Sequence, residues 1–346
     1  MSEPASSPLI YPHPAPPPAG ALIEVAPGVH WLRMPLPFAL NHINLWALED
    51  DNGWCLIDTG YGTDTTLAIW QQLFDGPLSG RPVTRIIVTH YHPDHVGSAA
   101  WLVDRWRAEF WMTEAEFLTA HAMRAGIPPF AVATAQAHFR RHGLDEERLK
   151  AQETRGNAYC LGVPALPNAY RRMIDGDVLT IGNRTWRVRT AFGHAPEHAT
   201  LYCEALGVLI SGDQILPKIT TNVGVWANQP DGNPLKLFLD SFDRFAPLPE
   251  NTLVLPSHGL VFTGMHTRIR QLHDHHEARL AELVATLDAP RTAAELLPTL
   301  FPRPLDDHQL MFAMGEIIAH LNFLMHAGSA YRETDADGQI RYIRLI

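Results

Sequence analysis

Short apolar runs alternate with helical patterns over the first third of the chain. Runs rich in Ile, Val, Leu and Trp predict five strands, over residues 21–26, 28–34, 43–48, 54–58 and 85–89. Two stretches between them, 63–73 and 98–107, have the apolar spacing of helices. Strands that alternate with helices predict an α/β fold in which helices pack on a sheet.

A helical insertion over about 113–172 interrupts this strand pattern. It opens with the capping-box sequence Thr113-Glu-Ala-Glu116, and Ile127-Pro-Pro-Phe130 breaks the first helix. Strand-like runs then resume over 178–181, 185–190, 199–204, 208–211 and 253–255. We therefore predict one domain over 21–266 that contains this insertion.

The pattern changes again after residue 266. Apolar residues fall on one face of a long helix, a second capping box at Thr292-Ala-Ala-Glu295 begins another, and a third helix is predicted over about 308–326. A hairpin around Asp335-Ala-Asp-Gly338 follows. Three helices and a hairpin are the outline of a winged-helix unit, so we predict a winged-helix-like domain over 267–346.

The first 20 residues form a proline-rich arm, with seven prolines that favour an extended conformation. The arm lacks the basic and apolar regions of a secretory signal, and the three cysteines are too few for a disulfide framework. No apolar run approaches the roughly 18 residues that span a membrane. We expect a cytoplasmic protein with no membrane partner.

The net charge of the chain indicates which kinds of molecule it can bind. The 346 residues include 27 Lys and Arg against 37 Asp and Glu, a net charge of −10. An acidic surface is a poor general binder of phosphate backbones, so the composition argues against nucleic acid as a partner. It leaves the oligomeric state open, a homodimer included.

The strongest chemical signal is the segment Thr89-His-Tyr-His-Pro-Asp-His95, which directly follows an apolar strand. Three imidazoles and a carboxylate this close together are costly to bury without partners, and they are ligands that suit zinc. Further candidates, His194, Asp213 and His258, each follow another predicted strand beside Gly or Pro. Strand ends of this kind present side chains in loops.

This ordered set of motifs resembles the metallo-β-lactamase superfamily over about residues 22–265. The resemblance implies an αβ/βα sandwich with metal at the edge between two sheets. It implies that one ion takes His90, His92 and His194, and that a second takes Asp94, His95 and His258, with Asp213 bridging the two. Two zinc ions are expected, with iron or manganese as alternatives, and Asp58 matches an aspartate that supports the ligands.

Two features indicate which branches of that superfamily the chain resembles. True β-lactamases with two zinc ions carry cysteine where Asp213 stands and are exported, so antibiotic hydrolysis is not expected. Asp213 instead resembles the glyoxalase II, lactonase and ribonuclease branches. The tail resembles the winged-helix extension of lactamase-β-like protein 2, which packs beside the active site, and we expect it to support the catalytic domain.

Several residues have an ambiguous pattern. His198, four positions after His194, is predicted either to contact substrate or to orient the ligands, with an exposed pair with Glu197 as the alternative. We group His198 with Asp94 and Asp58 as candidate catalytic residues. The histidines at 273, 275 and 276 are split between helix faces by their spacing, so we predict a structural role for them.

The predicted function is hydrolysis by a hydroxide that bridges two metal ions and attacks the carbonyl of a thioester, ester or lactone. Apolar residues of the insertion and of segment 216–226 suggest a wall for a small acyl substrate. Phe130, Ile219 and Trp226 are its tentative pocket residues, and Phe117, Phe139, Tyr159 and Val223 are further members. The alternatives are a metal-dependent endoribonuclease or phosphodiesterase and an iron-dependent redox member of the superfamily.

Overall fold

Two β-sheets face each other in the computed structural model, which describes residues 9–345. The first sheet has seven strands in chain order: β1 (Ile23–Ala26), β2 (Val29–Pro35), β3 (His42–Asp50), β4 (Gly53–Ile57), β5 (Val83–Ile87), β6 (Glu109–Thr113) and β7 (Arg171–Met173). Neighbours are antiparallel from β1 to β4 and parallel from β4 to β7. The sequence reading missed β6 and β7, which flank the insertion.

The second sheet has five strands: β8 (Val178–Ile181), β9 (Arg184–Ala191), β10 (His198–Cys203), β11 (Val208–Gly212) and β12 (Leu253–Pro256). The strands from β8 to β11 are antiparallel, and β12 runs parallel to β11. Trp31 and Trp46 of the first sheet pack against Trp186 of the second. The two inner faces therefore form one apolar core.

Helices cover both outer faces and complete four layers. On the first sheet lie α1 (Asp64–Asp75), α2 (Pro93–Val96) and α3 (Ala99–Trp106). On the second lie α8 (Pro234–Ser241) and α9 (Met265–Thr286). Since helices cover the outer face and the second sheet the inner one, all five residues of β4 are buried. The layers confirm the predicted αβ/βα sandwich.

The insertion contains four α-helices: α4 (Glu114–Ala125), α5 (Val132–Arg141), α6 (Glu146–Arg155) and α7 (Tyr159–Gly162). The C-terminal elements are α10 (Ala293–Leu300), α11 (Asp307–His326), β13 (Ala330–Thr334) and β14 (Ile340–Arg344). Phe139 of α5 shares one buried cluster with Leu283 of α9 and Ile317 of α11. The insertion and the tail therefore pack on each other, although they are far apart in sequence.

The predicted boundary at 266/267 falls in the first turn of α9. This helix contributes Leu272 to the core beneath the second sheet and Leu283 to the C-terminal core. One continuous helix therefore belongs to both parts. Among the described residues, no helix is both long enough and apolar enough to cross a bilayer.

Of the predicted arm over 1–20, residues 1–8 lie outside the described residues. Residues 9–11 of the arm lie along the sandwich, because Ile10 and Thr263 exchange two backbone hydrogen bonds of 3.2 and 2.9 Å. Leu9 and Tyr11 pack against the cluster beneath the second sheet.

Of the two predicted capping boxes, one is confirmed and the other is wrong. Thr292 and Glu295 exchange both hydrogen bonds of the motif at the start of α10. Thr113 occupies the N-cap of α4, but its hydroxyl donates to the carbonyl of Glu197 (2.8 Å) instead of capping the helix. Glu116 accepts from other backbone groups, because the fold brings two loops against this end of α4.

Candidate metal centre

The proposed ligands follow strands that end at one edge of the sandwich. The segment 90–95 follows β5, His194 follows β9, Asp213 follows β11 and His258 follows β12. β9, β11 and β12 run in the same direction, so their carboxyl ends meet at that edge. The order of strands therefore brings together residues that are up to 168 positions apart in the sequence.

Seven side chains form two groups of donor atoms, and within each group the atoms lie within 4.8 Å of one another. The groups are His90, His92, His194 and Asp213, and Asp94, His95 and His258. The structure thus brings together all seven sequence-predicted ligands. Nitrogen and carboxylate oxygen are the donor types that zinc accepts in proteins.

Asp213 lies between the two groups. Its Oδ2 is 3.4 Å from Nε2 of His194 in the first group. Its Oδ1 is 3.6 Å from Nε2 of His95 and 3.4 Å from Nε2 of His258 in the second. One carboxylate therefore contacts both groups, which is the position that a bridging ligand requires.

The imidazoles of the first group bring three ring nitrogens close to one point. His194 Nδ1–H donates to the carbonyl of Asn222 (2.7 Å), and His90 Nδ1 lies 3.0 Å from the Thr89 hydroxyl. With these protons on Nδ1, the lone pairs on Nε2 of His90 and Nε2 of His194 face each other at 3.2 Å. His92 Nδ1 is 2.9 Å from the same atom of His90. Such lone pairs repel unless a cation lies between them, so this donor set fits a metal ion.

The second group also has unpaired donor atoms. His258 Nδ1–H donates to the carbonyl of His42 (2.8 Å), so its Nε2 is free to bind. His95 Nε2 and Asp213 Oδ1 are buried and have no hydrogen-bond partner among the described residues. Buried polar atoms in folded proteins are nearly always paired, so these atoms also fit a cation.

The two groups differ in their electrostatics. Burial, together with neighbouring imidazoles, holds the pKa of His90 and of His92 well below the usual value, which keeps both neutral. Burial also lowers the pKa of His95, but Asp58, Asp94 and Asp213 together raise it well above the usual value. A histidine must be neutral to bind a metal ion, which the first group already satisfies. In the second group, the carboxylates supply negative charge that would offset the charge of a divalent cation.

Asp58 supports the second group from behind. Its carboxylate accepts a hydrogen bond from Nδ1–H of His95 (2.8 Å) and another from the backbone N–H of Thr89 (2.7 Å). Asp58 does not cap the following helix, because Thr63 is the N-cap of α1. A carboxylate behind a ligand histidine fixes its tautomer and ring orientation.

His198 is buried behind the first group. Its ring stacks on that of His90 with centroids 4.7 Å apart, and its Nε2 accepts from the backbone N–H of Asp213 (3.1 Å). Burial lowers the pKa of His198 to about 3, which keeps Nε2 an acceptor. The exposed pair with Glu197 is therefore wrong, and the contacts favour the orienting alternative. The close approach requires glycine before Asp213, since a Cβ on Gly212 would lie 2.4 Å from the His198 ring.

Glu116 is a residue of this region that the sequence reading missed. Its fully buried carboxylate accepts backbone hydrogen bonds from Tyr91 (2.9 Å) and Glu197 (2.6 Å). Burial raises the pKa of Glu116 to about 8 against the opposing effect of these bonds. Through these two hydrogen bonds, Glu116 connects the loop that carries His90 and His92 to the loop that carries His194. Its sequence signal was the apparent capping box.

The predicted apolar wall is divided between core and surface. Phe139 and Val223 are fully buried, and Tyr159 is buried with its hydroxyl donating to the carbonyl of Tyr91, so these three belong to the core. Of the tentative pocket residues, Ile219 is 45% exposed, and Phe130 and Trp226 are half-buried. Trp226 lies edge-on to Phe139 and Phe312, next to the C-terminal core.

Two family models match the chain. The model described as the metallo-beta-lactamase superfamily matches residues 40–258. The model of a metallo-beta-lactamase-like C-terminal domain matches residues 280–345. The first contains all seven donor residues, and the second begins within α9.

Three similar proteins cover most of the chain. The crystal structure of a beta-lactamase domain protein from Burkholderia ambifaria is 47% identical, covers 97% of this chain and 98% of its own, and has a TM-score of 0.92. The probable metallo-hydrolase YqjP of Bacillus subtilis (strain 168) is 25% identical over 300 residues, which are 85% of this chain and 91% of that protein. Hydroxyacylglutathione hydrolase of Rhodobacter capsulatus is 25% identical over 262 residues, 72% of this chain and 77% of that enzyme.

Proposed function

The chain belongs to the metallo-beta-lactamase superfamily, and we propose that it is a dinuclear zinc hydrolase that cleaves the thioester, ester or lactone bond of a small acyl substrate. The observation that carries this proposal is the position of Asp213 between two groups of closely spaced donor atoms, most of them on buried residues. YqjP, described as a probable metallo-hydrolase, supports a hydrolytic reaction. Hydroxyacylglutathione hydrolase, whose name denotes an acylated thiol as substrate, supports a thioester.

We propose one place for each ion. His90, His92 and His194 would hold one ion, Asp94, His95 and His258 the other, and Asp213 would contact both. A bound metal pair lowers the pKa of water and polarises a carbonyl oxygen.

The chain's own residues orient this centre and manage protons around it. Asp58 holds the His95 ring through Nδ1, and His198 holds the backbone of Asp213. Asp94 is 19% exposed, whereas its neighbour His95 is fully buried. We place the proton acceptor of the reaction at Asp94, because solvent can exchange protons with its carboxylate. Phe130, Ile219 and Trp226 would shape the approach for the acyl group.

The RNA-cleaving alternative receives less support. Arg332 of the predicted wing pairs with Asp231, and Arg341 pairs with Asp335 and Glu295. Arginines already engaged with carboxylates have less capacity to bind phosphates. The net charge of −10 opposes RNA binding as well.

A substrate panel tests the proposal. The full chain, loaded with zinc, iron or manganese in parallel, would be assayed on acyl thioesters, aryl esters, lactones, phosphodiesters and single-stranded RNA. We expect turnover of acyl substrates with zinc and its loss in His90→Ala/His92→Ala. Robust metal-dependent RNA cleavage that disappears in Arg332→Ala/Arg341→Ala/Arg344→Ala would replace this function with a ribonuclease. Oxygen-dependent turnover with iron alone would replace it with a redox function.

A further inference from the structure

The segment over residues 216–226, between β11 and α8, contacts the first donor group through its backbone. The carbonyl of Asn222 accepts the hydrogen bond from Nδ1–H of His194 at 2.7 Å. This bond fixes the proton on Nδ1 and leaves Nε2 free to bind metal. The orientation of His194 therefore depends on where the carbonyl of Asn222 lies.

The C-terminal helix α11 determines the position of that carbonyl. The side-chain amide of Asn222 donates to Oε2 of Glu316 at 3.1 Å and lies 3.5 Å from the carbonyl of Phe312. Three residues later, the backbone N–H of Val225 donates to the carbonyl of Gly315 at 3.0 Å. Two adjacent residues of α11 thus hold the segment.

Close packing supports the same contact. A Cβ on Gly315 would lie 3.4 Å from Gly224 and from the ring of Trp226, so the helix and the segment touch without a gap. At the other end of the segment, Arg268 of α9 donates to the carbonyls of Leu216 (2.6 Å) and Ile219 (2.9 Å). Helices α9 and α11 therefore both hold this segment against the metal centre.

We propose that Glu316 is a positioning residue of the metal centre, which acts through Asn222 on the ligand His194. The C-terminal domain thereby sets the affinity of the first donor group for metal. The proposal rests on the metal-binding role proposed above for His194, and it assigns to the tail a part in catalysis that needs no contact with substrate.

Stepwise metal affinity of the full chain is the most direct test. Zinc would be titrated against a chromophoric chelator for the parent, Glu316→Ala and Asn222→Ala. Each substitution should weaken one of the two binding steps about 10-fold, the lower end of the loss that follows removal of a direct partner of a ligand histidine, because both variants shift the carbonyl without removing it. The other step should stay within about twofold of the parent. Parent-like affinities in both variants would overturn the proposal.

Two further variants separate positioning from a general loss of stability. Glu316→Gln keeps an oxygen that can accept from Asn222, so it should restore most of the affinity lost in Glu316→Ala. The double variant Glu316→Ala/Asn222→Ala should lose no more than either single variant, because both remove the same interaction. Additive losses, or no rescue by glutamine, would contradict the proposed path.

The chain offers a matched control on the same helix. Asn322 is buried on α11, and its amide donates to the carbonyls of Pro230 (3.0 Å) and Gly232 (2.9 Å), which follow segment 216–226 in the same connection to α8 and do not contact the donor residues. Asn322→Ala should lower the melting temperature and leave both zinc affinities unchanged. An equal loss of zinc affinity in Asn322→Ala would show that any damage to α11 has this effect. If the parent itself binds no zinc, the proposed function fails; if the parent binds zinc and Glu316→Ala binds it with the same affinities, this inference alone fails.

Discussion

Replacing Glu116 should both destabilise the chain and weaken its metal centre, because one carboxylate joins two ligand-bearing loops. In Glu116→Ala, the backbone N–H groups of Tyr91 and Glu197 lose acceptors at 2.9 and 2.6 Å in a fully buried place. A buried donor left unpaired costs about 1–3 kcal/mol, so the two together predict a loss of about 2–6 kcal/mol in the free energy of unfolding.

Glu116→Gln should lie between the parent and Glu116→Ala. The amide keeps one acceptor but presents its NH₂ group to the other backbone N–H, so we expect a loss of about 1–3 kcal/mol. Urea unfolding of the metal-loaded chain, followed by far-UV circular dichroism, measures these differences. Zinc affinity of the same variants shows whether the loops move the ligands.

Glu114, two residues earlier on α4, provides the matched control. Its carboxylate pairs with Arg172 at 2.8 Å, but the two side chains are 43% and 54% exposed. An exposed ion pair is worth at most about 1 kcal/mol, so Glu114→Ala should be nearly neutral. The reasoning is refuted if Glu116→Ala unfolds at the urea concentration of the parent, or if Glu114→Ala costs as much as Glu116→Ala.

Three further predictions concern other parts of the chain. Gly212→Ala should reduce metal binding, measured by elemental analysis, because the new Cβ would collide with His198; full occupancy would contradict this. Asp213→Ala should abolish turnover while circular dichroism shows an intact fold, and near-normal turnover at saturating zinc would show that it does not bridge. Burial lowers the pKa of His276 to about 3 and that of His320 to about 4. Between pH 6.5 and about 4 the unfolded chain therefore binds protons that the folded chain does not. The free energy of unfolding then decreases as the pH is lowered, by up to about 1.4 kcal/mol per pH unit for each ring. His276→Leu/His320→Leu should lose less stability from pH 7 to pH 5 than the parent, and equal slopes in urea unfolding would contradict this.

The seven donor residues could be predicted from sequence because their signals are local. Each follows an apolar run and lies within two residues of glycine, proline or another ligand, so neither the motif nor its strand requires knowledge of distant contacts. The helices and hairpin after residue 266 could be predicted for the same reason, from helical periodicity and one turn.

Contacts between distant segments could not be predicted. Glu116 binds backbone groups 25 and 81 residues away, and the backbone carries no sequence signal for such a contact. The wall residue Phe139 is core because α9 and α11 pack on the insertion, a pairing that no local pattern encodes. His198 was ambiguous for a similar reason, since its burial depends on the close approach that Gly212 permits.

The metal content of the purified full chain tests the central claim most directly. Elemental analysis of protein grown with zinc should find close to two ions per chain, and His90→Ala/His92→Ala should empty the first donor group and leave at most one ion. The two groups of donor atoms and the shared carboxylate of Asp213 predict this result. Two ions retained in the double variant, or one ion at most in the parent at saturating zinc, would contradict a dinuclear centre built on these residues.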